Sequence, residues 1–161
     1  MATIQVGERI PKVTVRVPRG SAIDEVTTDA LFAGRKVVLF GVPGAFTPTC
    51  SARHLPGYVQ HAAALREKGI DAVVCLAVND AFVMGAWADA QGVGDAVVMA
   101  ADGNGELTRA LGLELDGSRF GMGTRCQRFA MVVEDGVVRS LAVEQPGKFE
   151  VSSAEAVLER L

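Results

Sequence analysis

Two continuous apolar runs dominate the hydrophobic pattern of the chain: KVVLFGV at residues 36–42 and DAVVCLAV at residues 71–78. Runs that are rich in β-branched residues and apolar at every position are typical of strands buried on both faces. Between them, residues 51–68 have apolar side chains at helical spacing, and Gly69 follows as a helix stop. A strand, a helix and a second strand in this order predict a crossover with parallel pairing.

The remaining pattern continues the alternation of helices and strands. The pattern predicts a helix from Asn79 or Asp80 to Gly92, a strand over 96–102, a short helix in GELTRALGL and an edge strand or hairpin at VTVRV. Asp135-Gly136 predicts a two-residue hairpin, and Ser152 with Glu155 predicts a capping box for the last helix. We therefore predict an α/β fold, a thioredoxin-like three-layer sandwich with a central mixed sheet and helices on both faces.

The composition places the chain among ordinary globular proteins. It has 161 residues, 49% hydrophobic and 22% charged, with a net charge of −3, which suits a single domain over 1–161. No Lys/Arg run marks a nucleic-acid or membrane surface, so neither partner is expected. The first residues lack a basic start followed by an apolar stretch, and no run is as long as a membrane span. We expect a cytoplasmic protein.

The cysteines are Cys50, Cys75 and Cys126, an odd and sparse set. Such a set favours free thiols in a reducing compartment over a disulfide framework. The chain contains no CxxC motif, and His54 and His61 do not complete a zinc pattern. We therefore expect no metal site.

One cysteine follows a helix-start signal directly after the first buried run. Thr47 is a good N-cap residue, Pro48 suits the first helical position, and Cys50 then falls in the first turn. Unpaired N–H groups and the helix dipole favour an anion there, so the thiol tends to ionise to the nucleophilic thiolate. The alternative is that Cys50 is a small apolar residue without chemistry, and position alone does not identify an electrophile.

The motif PGAFTPTCS followed by HLPGY resembles the active-site segment of the peroxiredoxins, specifically the peroxiredoxin-5 or type II subfamily. CLAVNDAFVMGAW, ALGLELD, QRFAMVVEDG and FEVSSAEAVL resemble the same subfamily in the same order, so the resemblance covers residues 6–161. It implies the peroxiredoxin and glutathione peroxidase type of thioredoxin-like fold. It also implies a thiol peroxidase that reduces hydrogen peroxide and alkyl hydroperoxides in antioxidant defence and redox homeostasis.

The resemblance assigns roles at the matching positions. Cys50 would attack the peroxide and become a sulfenic acid, Thr47 would hydrogen-bond the peroxide or the thiolate, and Pro43 would shield the site from water. Arg128 would hold the thiolate and stabilise charge on the separating oxygens. From the residues alone, an arginine at the head of a buried strand needs a partner, either a thiolate or a carboxylate. Arg125 is its competitor, which we expect to be looser and nearer the loop.

Several further side chains are candidates around this site. His54 lies one helical turn after Cys50 and matches a histidine of the subfamily, so it is a candidate for orienting the site or binding substrate, with a structural hydrogen bond favoured over a proton shuttle. Phe46 and Phe120 are expected to rim the substrate pocket or a dimer contact, because the family's dimer packs near the active site. Trp87 and Phe82 are expected in core or interface packing. A homodimer is implied.

The sulfenic acid must be reduced, and the sequence departs here from some subfamily members. The segment where those members have a second cysteine contains Ser152 and Ser153 instead. Cys75 lies within a buried strand, about 10 Å back from its end, so pairing with Cys50 would need local unfolding.

Cys126 is the other internal candidate for reducing the sulfenic acid. Strict alternation would place it on the same side as Arg128, although a small residue beside the pocket is the favoured interpretation. No resolving cysteine is therefore predicted. The resemblance then implies an external thiol, glutathione as reducing co-substrate, often with glutaredoxin and sometimes thioredoxin, and no metal, haem or flavin.

Three rival functions could also use Cys50. A dithiol oxidoreductase needs a second cysteine in the motif, and Cys50-Ser51-Ala52-Arg53 lacks it. A cysteine hydrolase needs a histidine base, for which His54 is poorly placed one turn along the same helix. A redox-sensing or chaperone-like module would use the same sulfenic acid as a signal and need not turn over with a thiol.

Overall fold

The computed structural model describes residues 2–161 and is built on a seven-stranded mixed sheet with the strand order β2-β1-β5-β4-β3-β8-β9. A separate two-stranded ribbon pairs β6 with β7. The strands are β1 (Thr14–Arg19), β2 (Ala22–Thr27), β3 (Lys36–Gly41), β4 (Ala72–Ala77), β5 (Val98–Ala101), β6 (Glu114–Asp116), β7 (Thr124–Cys126), β8 (Phe129–Glu134) and β9 (Val137–Val143).

The helices cover both faces of this sheet. They are α1 (Thr28–Phe32), α2 (Leu55–Gln60), α3 (Ala62–Glu67), α4 (Ala81–Gln91), α5 (Glu106–Ala110) and α6 (Ala154–Arg160), with a π-helical turn at Cys50–His54 and a 3-10 turn at Ser118–Phe120. The predicted three-layer thioredoxin-like α/β sandwich is confirmed.

The two predicted apolar runs form the centre of the sheet. β3 pairs in parallel with β4, with Phe40 opposite Cys75, and antiparallel with β8 on its other side. Alternate residues of these strands point into two separate cores. Phe40 and Cys75 pack with helices α2, α3, α4 and α6, whereas Leu39 and Leu76 pack with α1 and α5. Burial on both faces explains why these strands are apolar throughout.

Most local signals act as the sequence predicts. The side chain of Asp80 caps α4 by accepting from the N–H of Val83 at 2.8 Å, and Gly92 ends that helix in the left-handed region. The hairpin between β8 and β9 turns at Asp135 and Gly136, which have φ angles of +48° and +79°. Two successive positive φ angles match the primed turn for which Asp-Gly is suited.

The predicted capping box of the last helix is wrong by one residue. Ser153 is the N-cap of α6, and its side chain accepts from the N–H of Ala156 at 3.1 Å. Ser152 is fully buried, and its hydroxyl donates to the carboxylate of Glu144 at 2.7 Å. A tertiary hydrogen bond thus takes the hydroxyl that the local pattern assigns to the cap.

The long helix predicted over 51–68 is interrupted. It begins with the π-helical turn, and a break at His61 (φ −100°, ψ 10°) separates α2 from α3. The β6–β7 ribbon was not predicted, because strands of three residues carry too little pattern to be recognised. Within the described part of the chain, no helix combines the length and apolar character needed to span a membrane.

Candidate active site

Cys50 lies where β3 delivers the chain to the carboxyl edge of the sheet. After Gly41 the loop 42–47 leads into a helical turn that begins at Pro48, the first helical position as predicted. Cys50 opens the π-helical turn, and its carbonyl accepts from the N–H of Leu55, five residues on. Such widened turns occur frequently at functional sites. The Cys50 side chain is fully buried in the core on the α2 side of the sheet.

Thr47 occupies the cap position but does not cap through its side chain. Its carbonyl accepts the first helical hydrogen bond from Ser51 at 2.9 Å, while its hydroxyl donates to the carbonyl of Gly44 at 2.7 Å. The expected acceptor role of the hydroxyl toward the helix is therefore wrong. Because the hydroxyl hydrogen is engaged by Gly44, the oxygen lone pairs are available to accept from a ligand.

The loop between β3 and the helix has a constrained backbone. Phe46 has a φ of +65°, which is uncommon for a bulky residue, and the N–H of Ala45 donates to the side chain of Asn79 at 2.8 Å. The Phe46 ring is 54% exposed and lies 6.5 Å from the Trp87 ring, measured between centroids. Pro43 in the same loop is half-buried. The loop thus forms an aromatic rim close to the buried cysteine.

Arg128 brings a positive charge directly to the cysteine. It lies between β7 and β8, and its Nη2 donates to Sγ of Cys50 at 3.1 Å while Nη1 reaches Nδ1 of His54 at 2.8 Å. None of the ion pairs found within residues 2–161 involves Arg128. Of the two partners that the sequence left open, the structure therefore shows the sulfur and not a carboxylate.

Arg125 lies against the loop that precedes Cys50, but it is not as loose as predicted. It is half-buried, its Nε donates to the carbonyl of Met122 at 2.9 Å, and its guanidinium rests against Gly44. A Cβ at position 44 would stand 2.9 Å from Nη1 of Arg125, so a side chain there would displace the end of the Arg125 side chain. Arg125 therefore packs on the loop that leads to Cys50, whereas Arg128 contacts the sulfur.

His54 lies behind Arg128 and is fully buried. Since Arg128 donates to Nδ1, the neutral ring carries its proton on Nε2, which donates to the carbonyl of Ser152 at 2.9 Å. Burial, followed by the charge of Arg128, lowers the pKa of His54 from 6.5 to about 3. Both ring nitrogens are engaged within the protein, which matches the structural hydrogen-bonding role rather than a proton shuttle.

Phe149 was not identified from the sequence, yet it completes the surroundings of this arginine. Cζ of Arg53 lies 4.7 Å and Cζ of Arg128 5.8 Å from the centroid of its ring. The His54 ring meets it edge-on, with 4.9 Å between centroids. Positive charge over an aromatic face is favourable. Phe149 opens the motif FEVSSAEAVL, but a phenylalanine in a loop carries no local signal for contact with a distant arginine.

The other two cysteines are free and buried in different cores. Cys75 shares the core of Cys50, and burial raises its pKa well above the ordinary value. Cys126 lies in the core on the opposite face, where its Sγ donates to the carbonyl of Gln127 at 3.2 Å and burial raises its pKa. The expectation that Cys126 shares a side with Arg128 is wrong, because β7 ends at Cys126 and β8 begins only at Phe129.

The remaining aromatic candidates differ in how far they are buried. Trp87 is fully buried as a core residue, and its indole N–H donates to the hydroxyl of Ser51 at 3.0 Å. Phe82 is 78% exposed, which excludes the core and leaves interface packing of the two expected environments, and Phe120 is 76% exposed. Across residues 2–161, no group of three His, Cys, Asp or Glu side chains is arranged to hold a metal ion.

A buried cysteine in contact with a guanidinium at the edge of a thioredoxin-like sheet is typical of thiol-based redox proteins. Comparison with known proteins supports this class. The Redoxin family profile matches residues 5–158. The chain is 51% identical over 166 residues to peroxiredoxin-2E-2, chloroplastic, of Oryza sativa subsp. japonica, covering 100% of this chain and 74% of that protein. It is 45% identical to peroxiredoxin-2B of Arabidopsis thaliana, covering 100% of both.

A solved structure agrees with these sequence relatives. Reduced Prx3 of Vibrio vulnificus in complex with hydrogen peroxide superposes with a TM-score of 0.94 at 48% identity, covering 98% of this chain and 99% of that one. The chain belongs to the Redoxin family and, within it, to the peroxiredoxins. The resemblance to the peroxiredoxin-5 or type II subfamily is confirmed, and the chain is a thiol peroxidase of this family.

Proposed function

We propose that Cys50 is the residue that reduces the peroxide and that an external thiol, glutathione with glutaredoxin, returns the electrons. The observation that carries the first part is the hydrogen bond from Arg128 Nη2 to Sγ of Cys50 at 3.1 Å. A guanidinium in contact with the sulfur favours the thiolate, which is the nucleophile. Its five N–H donors also suit charge that develops on oxygens.

The first step is an attack of the Cys50 thiolate on the terminal oxygen of the peroxide. The sulfur–oxygen bond forms as the oxygen–oxygen bond breaks, so the sulfur is oxidised to a sulfenic acid and the peroxide is reduced. The departing alkoxide or hydroxide takes up a proton and leaves as an alcohol or water. Thr47, with its hydroxyl oxygen free to accept, hydrogen-bonds the peroxide, and the half-buried Pro43 limits the access of water.

The second half of the cycle consumes two external thiols. The first condenses with the sulfenic acid, releasing water and leaving a mixed disulfide on Cys50. The second thiol attacks this disulfide, so that a small disulfide leaves and the Cys50 thiol returns. Glutathione is the donor we propose, with glutaredoxin for the second exchange and thioredoxin as the alternative reductant. The cytoplasm, which keeps thiols reduced, is the compartment that this cycle suits.

The surroundings of the other cysteines support an external donor. Cys126 lies in the core on the other face of the sheet, and Cys75 is fully buried with a raised pKa. A thiol that stays protonated in the core is a poor nucleophile. We therefore propose that neither cysteine resolves the Cys50 sulfenic acid in the folded protein.

The exposed aromatic rings support the homodimer that we propose for this chain. Phe46, Phe82 and Phe120 are 54%, 78% and 76% exposed, respectively. Contiguous exposed apolar patches mark surfaces that a partner covers. We propose that these rings belong to such a surface and that a second copy of the chain buries them.

The experiment that tests the cycle is the intact mass of the reduced protein after one equivalent of hydrogen peroxide, without added thiol. A gain of one oxygen, trapped at Cys50 by a sulfenic-acid reagent, is the expected result. A loss of two hydrogens would show that an internal cysteine reaches Cys50 and would overturn the external donor. Repeated turnover with glutathione and glutaredoxin separates an enzyme from a redox sensor, which needs only one oxidation.

A further inference from the structure

A buried carboxylate that forms no ion pair with any of residues 2–161 lies behind the candidate active site. Glu144 directly follows β9 and is only 7% exposed. Its Oε2 accepts from the N–H groups of Glu150, Val151 and Ser152, each at 2.8 Å, and from the Ser152 hydroxyl at 2.7 Å. A buried charge is costly unless it is hydrogen-bonded. Glu144 obtains those bonds from one loop, whose conformation it therefore fixes.

The loop that Glu144 holds presents one carbonyl to the core. The carbonyl oxygen of Ser152 accepts from the Tyr58 hydroxyl at 2.7 Å and from Nε2 of His54 at 2.9 Å. All three residues are fully buried. Three N–H donors of this loop and the Ser152 hydroxyl point at Glu144. They hold the backbone of Ser152 in place, and its carbonyl is thereby positioned for these two side chains.

The carbonyl of Ser152 in turn fixes the tautomer of His54 that faces Arg128. Since Nε2 is occupied as a donor, Nδ1 presents a lone pair, and Nη1 of Arg128 donates to it at 2.8 Å. The other terminal nitrogen of the same planar guanidinium then points to Sγ of Cys50 at 3.1 Å. The network therefore runs from Glu144 through Ser152, His54 and Arg128 to the sulfur.

We propose that Glu144 is a positioning residue for the Cys50 thiolate, acting through Ser152 and His54 on the orientation of Arg128. It touches neither the sulfur nor a substrate. The inference depends on the proposed function only for the use that is made of the thiolate. The ionisation of Cys50, on which Glu144 acts, can be measured without peroxide.

The direction in which Glu144→Gln changes the thiolate fraction of Cys50 distinguishes a positioning role from a direct electrostatic effect. The negative charge of Glu144 acting through space disfavours a second anion at Cys50, so removing it would increase the thiolate fraction. Loss of the positioning network instead loosens Arg128 and decreases the thiolate fraction. Glu144→Gln removes the charge at nearly constant volume and places an amide group against the N–H donors of the loop.

The experiment is a titration of the Cys50 thiolate by its absorbance at 240 nm in folded protein, with Cys50→Ser as the blank. We expect Glu144→Gln to move the midpoint upward by about one pH unit, a roughly tenfold loss of thiolate below it. Glu159→Gln, the same charge change at an exposed position of α6, should leave the midpoint in place. An unchanged or lowered midpoint in folded Glu144→Gln would overturn the proposal.

A double-mutant cycle tests the route through His54. If Glu144 acts through the His54 ring, Glu144→Gln adds little to the shift produced by His54→Gln, whereas independent effects would add. Additive shifts would contradict the route. Should Glu144→Gln fail to fold, Ser152→Ala replaces it, because it deletes one donor to Glu144 while keeping the carbonyl. We expect a smaller upward shift from Ser152→Ala, and no shift would overturn the proposal.

Trapping of sulfenic acid after addition of peroxide distinguishes a failure of the proposed function from a failure of the positioning role of Glu144. A shifted Cys50 titration in Glu144→Gln together with no sulfenic acid in the unsubstituted protein would leave the positioning role intact and refute the proposed function. Sulfenic acid at Cys50 together with an unshifted titration in Glu144→Gln would support the proposed function and refute the positioning role.

Discussion

Arg128 and Cys50 meet across 78 positions of sequence, with Nη2 of the guanidinium 3.1 Å from the sulfur. The other terminal nitrogen of Arg128 binds His54, so the planar group is held at two points. A group held in this way needs no rearrangement when charge develops during a reaction, which is the condition for electrostatic stabilisation of a transition state. This contact is the basis of the first prediction.

Replacing Arg128 by lysine should slow peroxide reduction although the positive charge is kept. A lysine ammonium is a compact point charge and cannot reach both Sγ of Cys50 and Nδ1 of His54 with the geometry of a fork. We expect Arg128→Lys to lower the second-order rate constant for hydrogen peroxide about 100-fold. The measurement is competition for peroxide against a reference peroxidase. Arg119→Lys, at an exposed position, is the matched control, and equal rates in the two variants would contradict the role of Arg128.

Substitution of each cysteine in turn should show that only Cys50 is needed for turnover. Cys50→Ser should abolish turnover with glutathione and glutaredoxin, since the nucleophile is lost. Cys75→Ser and Cys126→Ser should keep most of it, because both side chains are buried with raised pKa values. Circular dichroism establishes that each variant is folded. A folded Cys75→Ser protein without turnover would show that Cys75 resolves the sulfenic acid after all.

Acidification should destabilise the protein through His54. Its pKa is lowered to about 3 by burial and by Arg128, whereas the unfolded chain takes up the proton near 6.5. Between these values the unfolded state binds more protons, so stability falls as the pH falls, by up to about 1.4 kcal/mol per pH unit. Urea unfolding at a series of pH values measures this slope.

The variant His54→Gln isolates the contribution of the histidine. It should be less stable than the unsubstituted protein near neutral pH, because the link between Ser152 and Arg128 is weakened. The stability difference should narrow as the pH falls from 6.5 toward 3. Parallel pH profiles for the two proteins would show that His54 does not titrate as its buried position implies.

The serine that caps the last helix can be identified by substitution. Ser153→Ala removes the hydrogen bond to the N–H of Ala156 and should lower the free energy of unfolding by about 1 kcal/mol. Ser153→Asp should restore it, since aspartate also accepts at a helix N-terminus. Ser21→Ala, in an exposed turn, provides a control. If Ser153→Ala were as stable as this control, Ser153 would not be the cap.

An exposed phenylalanine should report on self-association. Phe120 is 76% exposed, so Phe120→Glu is expected to fold normally but to dissociate the proposed homodimer, because a charge would be buried at the contact. Sedimentation velocity measures the mass in solution. Val6→Glu places the same charge at a residue that is 59% exposed and should leave the dimer intact. A monomeric unsubstituted protein would refute the homodimer itself.

Local signals in the sequence were sufficient for much of the fold. Apolar runs predicted the two central strands because burial on both faces excludes polar residues there. Asp135-Gly136 predicted its hairpin, and Asp80 was one of two residues offered as the cap of α4, because turns and caps depend on a few neighbouring residues. Ser152 shows where this reasoning fails. Its neighbours suggest a cap, but a distant carboxylate binds its hydroxyl.

The candidate site was predictable only in part for the same reason. Cys50 could be found from the helix start that precedes it, and Thr47, Pro43 and Arg128 from the resemblance of their motifs. The roles of Glu144 and Phe149 could not be found. Phe149 opens the motif FEVSSAEAVL, but the neighbours of neither residue along the chain carry a signal for its contacts. Their importance lies in contacts with residues far away along the chain.

The sequence by itself determined the order of the longer elements, the central strands and the placement of a cysteine at the start of a helix. These follow from interactions between near neighbours and from the two-sided burial of apolar runs. The tertiary structure alone decided that Arg128 contacts the sulfur, that Cys126 belongs to the opposite core and that Glu144 holds the loop behind His54. Hydrogen bonds act over about 3 Å, so only the packing of the folded chain can determine which distant residues form them.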